Sequence, residues 1–393
     1  MKIRVIRIII MRIAIFTNNY LPNPYGVSGS IESFRKEFER RGHTVYIFAP
    51  KTKGYVDENP KVFRYPSIDI KYKISFPLAI PFSPSISKKL KELEIDIIHS
   101  QHPNLLGWAA KRWAKKKGVP LVFTWHTLYD QYAHFAPPFI PKKFAQWWTI
   151  NNAVKYANGA DQIVVPTPSV KKIIQSWGVN NPNIIAVPTG VEEPMYQNPD
   201  RKKYREKFSL KDDEIALMTV SRLTAEKNVR FLFQAVCRLL KNTQNVKFLV
   251  NGSGHEDEAV REIIKKEGVA EKVFFEPSVS KKDIKDFYAS GDIFVYASKS
   301  ETQGMVISEA LYSGLPVVAV AATGIKDMVT NQVDGILTKD SEESLKSGIS
   351  KLINDNTLRA KYSANALRIA REKFTSAACA KRLLEVYKRV IMG

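Results

Sequence analysis

Short runs of apolar, β-favouring residues recur along the chain at intervals that leave room for a helix between them. In the first half they fall at 13–17, 44–49, 95–100, 121–125 and 162–166, and in the second at 214–221, 246–251, 273–276, 293–297 and 316–319. The segments between them repeat apolar positions three and four apart, as one face of a helix does: 31–42 and 104–118, then 228–241, 255–267, 281–290 and 306–313. Strands that alternate with helices run parallel, because each helix carries the chain back across one face of the sheet. The pattern predicts an α/β protein of two Rossmann-like domains in tandem, 1–195 and 196–393. The polar stretch 189–213, with Pro194 and Pro199, is the expected linker, and the final helix is expected to pack back on the first domain.

At 393 residues and 44% hydrophobic, the chain is long enough for two cores, and it has no apolar run that would span a bilayer. Residues 1–10 mix Lys2, Arg4 and Arg7 with apolar residues and lack a small-residue cleavage site, so they do not read as a signal peptide. Met11, directly before a strand-like run, makes those ten residues an expected extension. The two cysteines, Cys237 and Cys379, sit in helical patterns and suggest neither a disulfide framework nor a metal site, which fits a reducing cytoplasm. The net charge is +21; residues 1–195 hold 27 Lys and Arg against 13 Asp and Glu, and the rest 33 against 26. A basic first half suits an anionic membrane surface, phosphorylated substrates or nucleic acid. No zinc-finger spacing, RNA-binding aromatic signature or heptad array accompanies it, which ranks nucleic acid last.

Parallel sheets bind ligands at the carboxyl ends of their strands, so the loops there hold the candidates. After the first strand comes T-N-N-Y-L-P-N-P-Y-G-V-S-G, in which Gly26 and Gly29 let backbone approach an anion at a helix expected to start near Ser30. A glycine turn before a helix explains the stretch equally well. After the first strand of the second half comes S-R-L-T-A-E-K-N, where Arg222 and Lys227 suit a diphosphate, as a forked and a point cation, or are solvated loop charges. In S-E-T-Q-G-M-V-I-S-E, Glu301 falls in a loop and Glu309 about a turn and a half into a helix of 3.6 residues per turn. Carboxylates accept from vicinal hydroxyls, and the backbone around Gly304 can meet phosphate. The alternative is a helix-start acid at Glu301 and a solvent-facing Glu309.

Together these motifs resemble the retaining family-4 glycosyltransferases of GT-B architecture, whose two Rossmann-like domains with parallel sheets face a central cleft. The resemblance covers nearly the whole chain. It rests on the glycine loop, on S-R-L-T-A-E-K, on Glu301 and Glu309 as E-x7-E, and on the following G-L-P-V-V from Gly314. H-T-L-Y-D-Q-Y from His126 and E-T-Q-G from Glu301 look most like the branch that glucosylates diacylglycerol. The resemblance implies donor contacts for Gly26, Ser28, Gly29, Arg222, Lys227, Gly252, Glu276, Val279, Glu301, Gly304, Met305, Val306 and Glu309. Among them Arg222 and Lys227 would bind the diphosphate and Glu309 the ribose. Glu301, Gly304 and Met305 would contact the transferred sugar and the distal phosphate, and the loop from Glu276 would neighbour the nucleobase. His126, Glu301, Arg222 and Lys227 are the expected catalytic set, with His126 near the reacting carbon. Without the resemblance, His126 reads equally as a packed loop residue.

A nucleoside diphosphate is already a competent leaving group, so the barrier calls for stabilising its growing charge and an oxocarbenium-like sugar. Two cations and helix N-termini serve that, and no D-x-D stands in the chain, so neither a metal nor another cofactor is expected. Retention follows from the resemblance only, with front-face attack preferred. For the acceptor, the aromatic and proline-rich stretch 132–148 surrounds a lysine pair: Tyr132, Phe135, Phe139, Lys142, Lys143, Trp147 and Trp148, with Tyr129 just before it. Rings beside cations suit a membrane headgroup zone. Residues 71–91, and the helix bearing Trp108 and Trp113, are further candidates, although the latter's apolar face can simply pack on the sheet. The expectation is a cytoplasmic enzyme, peripheral on the inner face of the cell membrane, moving glucose from UDP-glucose to a lipid hydroxyl such as diacylglycerol's. The rivals are a family-4 enzyme acting on a soluble sugar, polysaccharide or other lipid, and a basic nucleic-acid-binding protein, which would leave both acids unexplained.

Overall fold

The computed structural model describes residues 10–23, 26–72, 74–129 and 141–393, with the backbone alone for 71–72 and 74–76. The chain divides into two compact units, Met1–Thr189 with Cys379–Gly393, and Gly190–Ala378. Strands of the first unit are β1 (Arg12–Phe16), β2 (Thr44–Pro50), β3 (Val62–Tyr65), β4 (Ser67–Tyr72), β5 (Ile74–Ala79), β6 (Ile97–Ser100), β7 (Leu121–Thr124), β8 (Gln162–Val165) and β9 (Ile184–Ala186). Seven form one sheet in the order β3-β2-β1-β6-β7-β8-β9, every neighbour parallel, while β4 and β5 pair antiparallel beside it. Every residue of β6 and β7 is buried, as expected of strands covered on both faces.

His99 interrupts the apolar run of β6, and both ring nitrogens are satisfied, by Tyr387 Oη at 2.5 Å and Thr124 Oγ1 at 2.6 Å. Tyr387 belongs to the last helix, Ser376–Met392, whose Leu383, Leu384 and Val386 share a core with Ile13, Ile15 and Ile97. A polar strand residue is thereby tied to an element almost three hundred positions later.

The second unit contributes β10 (Ile215–Val220), β11 (Val246–Asn251), β12 (Val273–Glu276), β13 (Ile293–Tyr296), β14 (Val317–Val320) and β15 (Gly335–Thr338). They form a parallel sheet in the order β12-β11-β10-β13-β14-β15. Helix Val229–Lys241 follows β10 and buries Leu232, Phe233, Val236 and Leu240 on the sheet, the three-and-four spacing of its sequence. In both sheets the strand order reverses at the centre, between β1 and β6 and between β10 and β13. Such a reversal parts the flanking loops and opens a crevice at the strands' carboxyl ends.

The segment 189–213 is not a free linker. Helix Lys202–Lys207 lies in it with Tyr204 and Arg205 buried, and the Arg205 guanidinium donates to the carbonyls of Lys211 and Glu214 at 2.7 Å each. Strands β3, β9 and β15, the β4–β5 pair and helix Pro84–Glu92 join the predicted elements.

Candidate active site

The second unit gathers its polar side chains at the reversal between β10 and β13. The loop after β10 is shaped by its neighbour: Leu223 N–H donates to Ser253 O at 2.9 Å, and Ser221 N–H to Asn251 O at 3.0 Å. Gly252, at φ +142°, lies so close that a Cβ would stand 1.8 Å from Ser221 O, so only glycine allows this approach. The backbone then makes one 3-10 turn, Ala225–Lys227, and Asn228, left-handed at φ 55°, turns it into the following helix. Asn228 Nδ2 also donates to Ala297 O at 3.2 Å, which ties the loop after β10 to the loop after β13.

That tie brings together two residues 74 positions apart. Lys227 Nζ donates to Glu301 Oε1 at 2.5 Å, with side-chain exposures of 16% and 11%. Tyr296, the last residue of β13, donates its hydroxyl to the same oxygen at 2.6 Å. A shielded ion pair of this kind has lost much of its hydration and holds its geometry through the extra hydrogen bond. Helix Met305–Tyr312 starts just beyond, behind Gly304 at φ +78°, an N-cap residue that has no side chain to cap it. Gly324 draws close here as well, for a Cβ there would lie 2.5 Å from Glu301 O.

Glu309, on that helix, does not face solvent alone. Its Oε2 accepts from Tyr288 Oη at 2.8 Å, and Tyr196 adds a second hydrogen bond. Burial raises the Glu309 carboxyl above the ordinary range, and the two phenols partly offset that. Arg222 stays outside this cluster, 70% exposed and paired with Glu226 at 3.0 Å. Glu276 ends β12 in an ion pair with Lys207, and Val279 packs on the core. Met305 and Val306 open the helix in partly buried positions.

In the first unit the helix begins at Gly26 and runs to Arg40, so Gly26, Ser28 and Gly29 lie in its first turn and not in a loop before it. A Cβ at Gly26 or Gly29 would meet nothing within 4 Å, and the buried Ser28 hydroxyl has no hydrogen-bond partner among the described residues. His126 Nε2 lies 2.6 Å from Gln101 Oε1, which makes Nε2 the protonated nitrogen. Asn18 N–H donates to His102 Nδ1 at 3.1 Å. Desolvation pushes His99 and His126 down to about 3 and His102 down to about 4, so all three are neutral near pH 7. A cavity of about 20 Å³, room for roughly one water, is lined by His99, Gln101, Thr124, His126, Ser30 and Thr189 among others.

Of the expected acceptor residues, Tyr132, Phe135 and Phe139 lie outside the described residues. Tyr129 packs edge-on against Trp125 at 5.5 Å. Lys142 and Lys143 open the helix Lys142–Asn158, where Phe144, Trp147 and Trp148 are 54%, 60% and 51% exposed, while Ala153, Val154, Tyr156 and Ala157 near its other end are buried. Sequence reasoning passed over Gln101, Tyr288 and Tyr296. Tyr288 and Tyr296 occupy positions that read as ordinary helix and strand, Gln101 stands in the short loop after β6, and only the fold reveals their partners.

Residues 24–193 match the family described as Glycosyltransferase Family 4, and residues 200–368 match Glycosyl transferases group 1. Over 98% of its length the chain is 28% identical to the alpha-monoglucosyldiacylglycerol synthase of Streptococcus pneumoniae, of which 87% is covered. It is 25% identical, over 97% of its length and 89% of the other, to a GDP-mannose-dependent alpha-mannosyltransferase of Corynebacterium glutamicum. Among solved structures, Anabaena HepE in complex with UDP-glucose superposes with a TM-score of 0.74 at 20% identity, covering 96% of this chain and all of that one. With one family matched in each half and this fold throughout, the chain belongs to the GT-B glycosyltransferases, family 4 in its first half and group 1 in its second.

Proposed function

We propose that the protein is a retaining hexosyltransferase that moves glucose from UDP-glucose to the hydroxyl of a membrane lipid such as diacylglycerol. The observation that carries the donor half is the shielded Lys227–Glu301 pair beside the glycine-led start of helix Met305–Tyr312. A cation and free N–H groups at one point stabilise a diphosphate, most of all as it leaves and gains charge. Glu301 then faces the transferred sugar and Glu309 the ribose, while Arg222 exchanges Glu226 for a phosphate oxygen. His126 is assigned to the sugar near its reacting carbon, where a neutral imidazole whose Nε2–H is given to Gln101 offers Nδ1 as an acceptor without adding charge. With Arg222 and Lys227 in that role the transfer needs no metal, so a chelator should leave the rate unchanged. The S. pneumoniae relative's named product and the UDP-glucose bound to HepE support this choice of substrates.

The exposed Phe144, Trp147 and Trp148 beside Lys142 and Lys143 support the membrane half. Each cation near an anionic surface contributes about 1 kcal/mol, enough in sum for reversible attachment on a cytoplasmic leaflet. Among the described residues no helix is long and apolar enough to cross a membrane. The mannosyltransferase relative favours a second reading, a GDP-mannose donor on the same frame. A donor screen read by mass spectrometry, against a lipid extract and against water-soluble acceptors, tests all of this. Glucosylated lipid from UDP-glucose is expected. Transfer to soluble acceptors alone, or from GDP-mannose alone, overturns the lipid or the glucose assignment, and failure of anionic vesicles to float the protein at low salt removes the surface.

A further inference from the structure

Glu301 and Glu309 stand eight residues apart, and so do Tyr288 and Tyr296. The structure matches the two spacings, Tyr296 donating to Glu301 at 2.6 Å and Tyr288 to Glu309 at 2.8 Å. The tyrosines come from different elements, Tyr288 from helix Ile284–Ala289 and Tyr296 from the end of β13. Both are buried, at 0% and 2% exposure, and both pack on Phe294, with ring centroids 6.1 and 5.9 Å from it. A phenol in such surroundings cannot go unpaired without cost, and two aromatic torsions fix its oxygen far more firmly than three torsions fix a glutamate's. At Glu301 both Lys227 and Tyr296 use Oε1, which leaves Oε2 clear of them.

We propose that Tyr296 and Tyr288 are positioning residues, each aiming one carboxylate at one end of the nucleotide sugar: Tyr296 sets Glu301 against the sugar hydroxyls, and Tyr288 sets Glu309 against the ribose diol. The inference rests on the donor reading above and adds what holds the acids in register. Phenol and carboxylate form a chain that runs from the core of the unit to the ligand, so the sheet itself is the reference for both ends of the substrate. The two tyrosines then affect different quantities. Losing the Tyr288 hydroxyl blurs recognition of the ribose, and losing the Tyr296 hydroxyl slows transfer.

The test uses the full chain with Tyr288→Phe and Tyr296→Phe, each keeping its ring. Calorimetry gives the affinities for UDP and 2′-deoxy-UDP, and initial rates with UDP-glucose give kcat. Tyr288→Phe should reduce the preference for UDP over 2′-deoxy-UDP about 3- to 10-fold, the worth of one ordinary net hydrogen bond. Tyr296→Phe should leave that preference unchanged and lower kcat about 10-fold, as loosened placement does. A packing defect would weaken both nucleotides alike and leave their ratio untouched. In Glu309→Gln, adding Tyr288→Phe should cost no further preference, and this double variant has no carboxylate to orphan if the single one folds poorly. An unchanged ratio in Tyr288→Phe, where Glu309→Gln abolishes it, overturns the inference alone. An unchanged ratio in Glu309→Gln overturns the ribose assignment and the inference with it.

Discussion

The two units share a parallel sheet with a central reversal of strand order, yet they place opposite chemistry at it. The first unit puts imidazoles there: His99 on β6, His102 just after it, and His126 after β7, held by Tyr387, Thr124, Asn18 and Gln101. The second puts carboxylates and phenols there, with one shielded lysine. The fold thus dictates where polar groups converge and leaves their identity open. Burial acts on the two sets with opposite sign, because it disfavours the cationic form of histidine and the anionic form of glutamate. Near pH 7 the first unit presents neutral donors and acceptors, and the second the Lys227–Glu301 ion pair.

The largest expected effect breaks the second set. Lys227→Ala removes the shielded cation paired with Glu301, whose hydrogen bond from Tyr296 remains, so kcat/KM should fall about 10²- to 10³-fold, as when a preorganised charge-stabilising donor is lost. Steady-state rates with UDP-glucose check this. A loss below tenfold would remove Lys227 from the diphosphate.

Acid separates the units next. The three histidines have folded values of about 3, 3 and 4 against an ordinary value near 6.5. Their contribution to stability is full above the unfolded value and is lost as pH falls from about 6.5 toward 4, since only the unfolded chain takes up the protons. By pH 5 each has cost about 2 kcal/mol, together a large share of a typical domain stability of about 5–15 kcal/mol. Trp108, Trp113, Trp125, Trp147, Trp148 and Trp177 are the chain's six tryptophans and all precede Thr189, so indole fluorescence reports the first unit alone. It should change between pH 6 and 4 before far-ultraviolet dichroism shows loss of the second unit's helices. A single coincident transition would show that the imidazoles do not set the acid limit.

Glu309→Gln inverts the sign. A carboxyl raised on folding favours the native state below its unfolded value, and the gain fades as pH rises through the folded value. The glutamine variant should therefore gain melting temperature on wild type between pH 5 and 8 while losing nucleotide affinity. Wild type melting higher than the variant at pH 8 would mean that Tyr288 and Tyr196 more than offset the burial.

Much of this was legible before the fold was known, and what was not shares a physical cause. Fully apolar runs such as Ile293–Tyr296 and Val317–Val320 announce strands buried on two faces, and Asn228 with the spacing after it marks a helix start. Edge strands β3 and β9 are four and three residues long, too short for alternation to show. The helix Lys142–Asn158 hides behind a proline-rich approach, and its apolar character varies along its length more than around it. Lys227 and Glu301 were identifiable singly, one as a cation beside Arg222 and the other as an acid eight residues before Glu309, but their pairing with each other shows only in the fold. Tyr288, Tyr296 and Gln101 were not identifiable, because a buried hydroxyl or amide has no signature until its partner is known, and Gln101 meets His126 across 25 positions.

The smallest effect sharpens the contrast inside the second unit, where Arg222 and Lys227 share a loop but not an environment. The Arg222–Glu226 pair is 70% and 42% exposed, and an ion pair this open, four residues apart, adds at most about 0.5 kcal/mol. Glu226→Ala should leave stability within that amount and tighten UDP about 2-fold at most, by releasing Arg222. Arg222→Ala should weaken UDP about 3- to 10-fold, less than Lys227→Ala does, because water screens an exposed guanidinium and does not reach a shielded amine as freely. Raising salt from 0.05 to 0.5 M shortens the screening length several-fold, so the Arg222 effect should shrink with salt while the Lys227 effect persists. If both variants lose equal affinity at both salt concentrations, exposure does not rank the two cations, and the diphosphate holds Arg222 in a place as closed as that of Lys227.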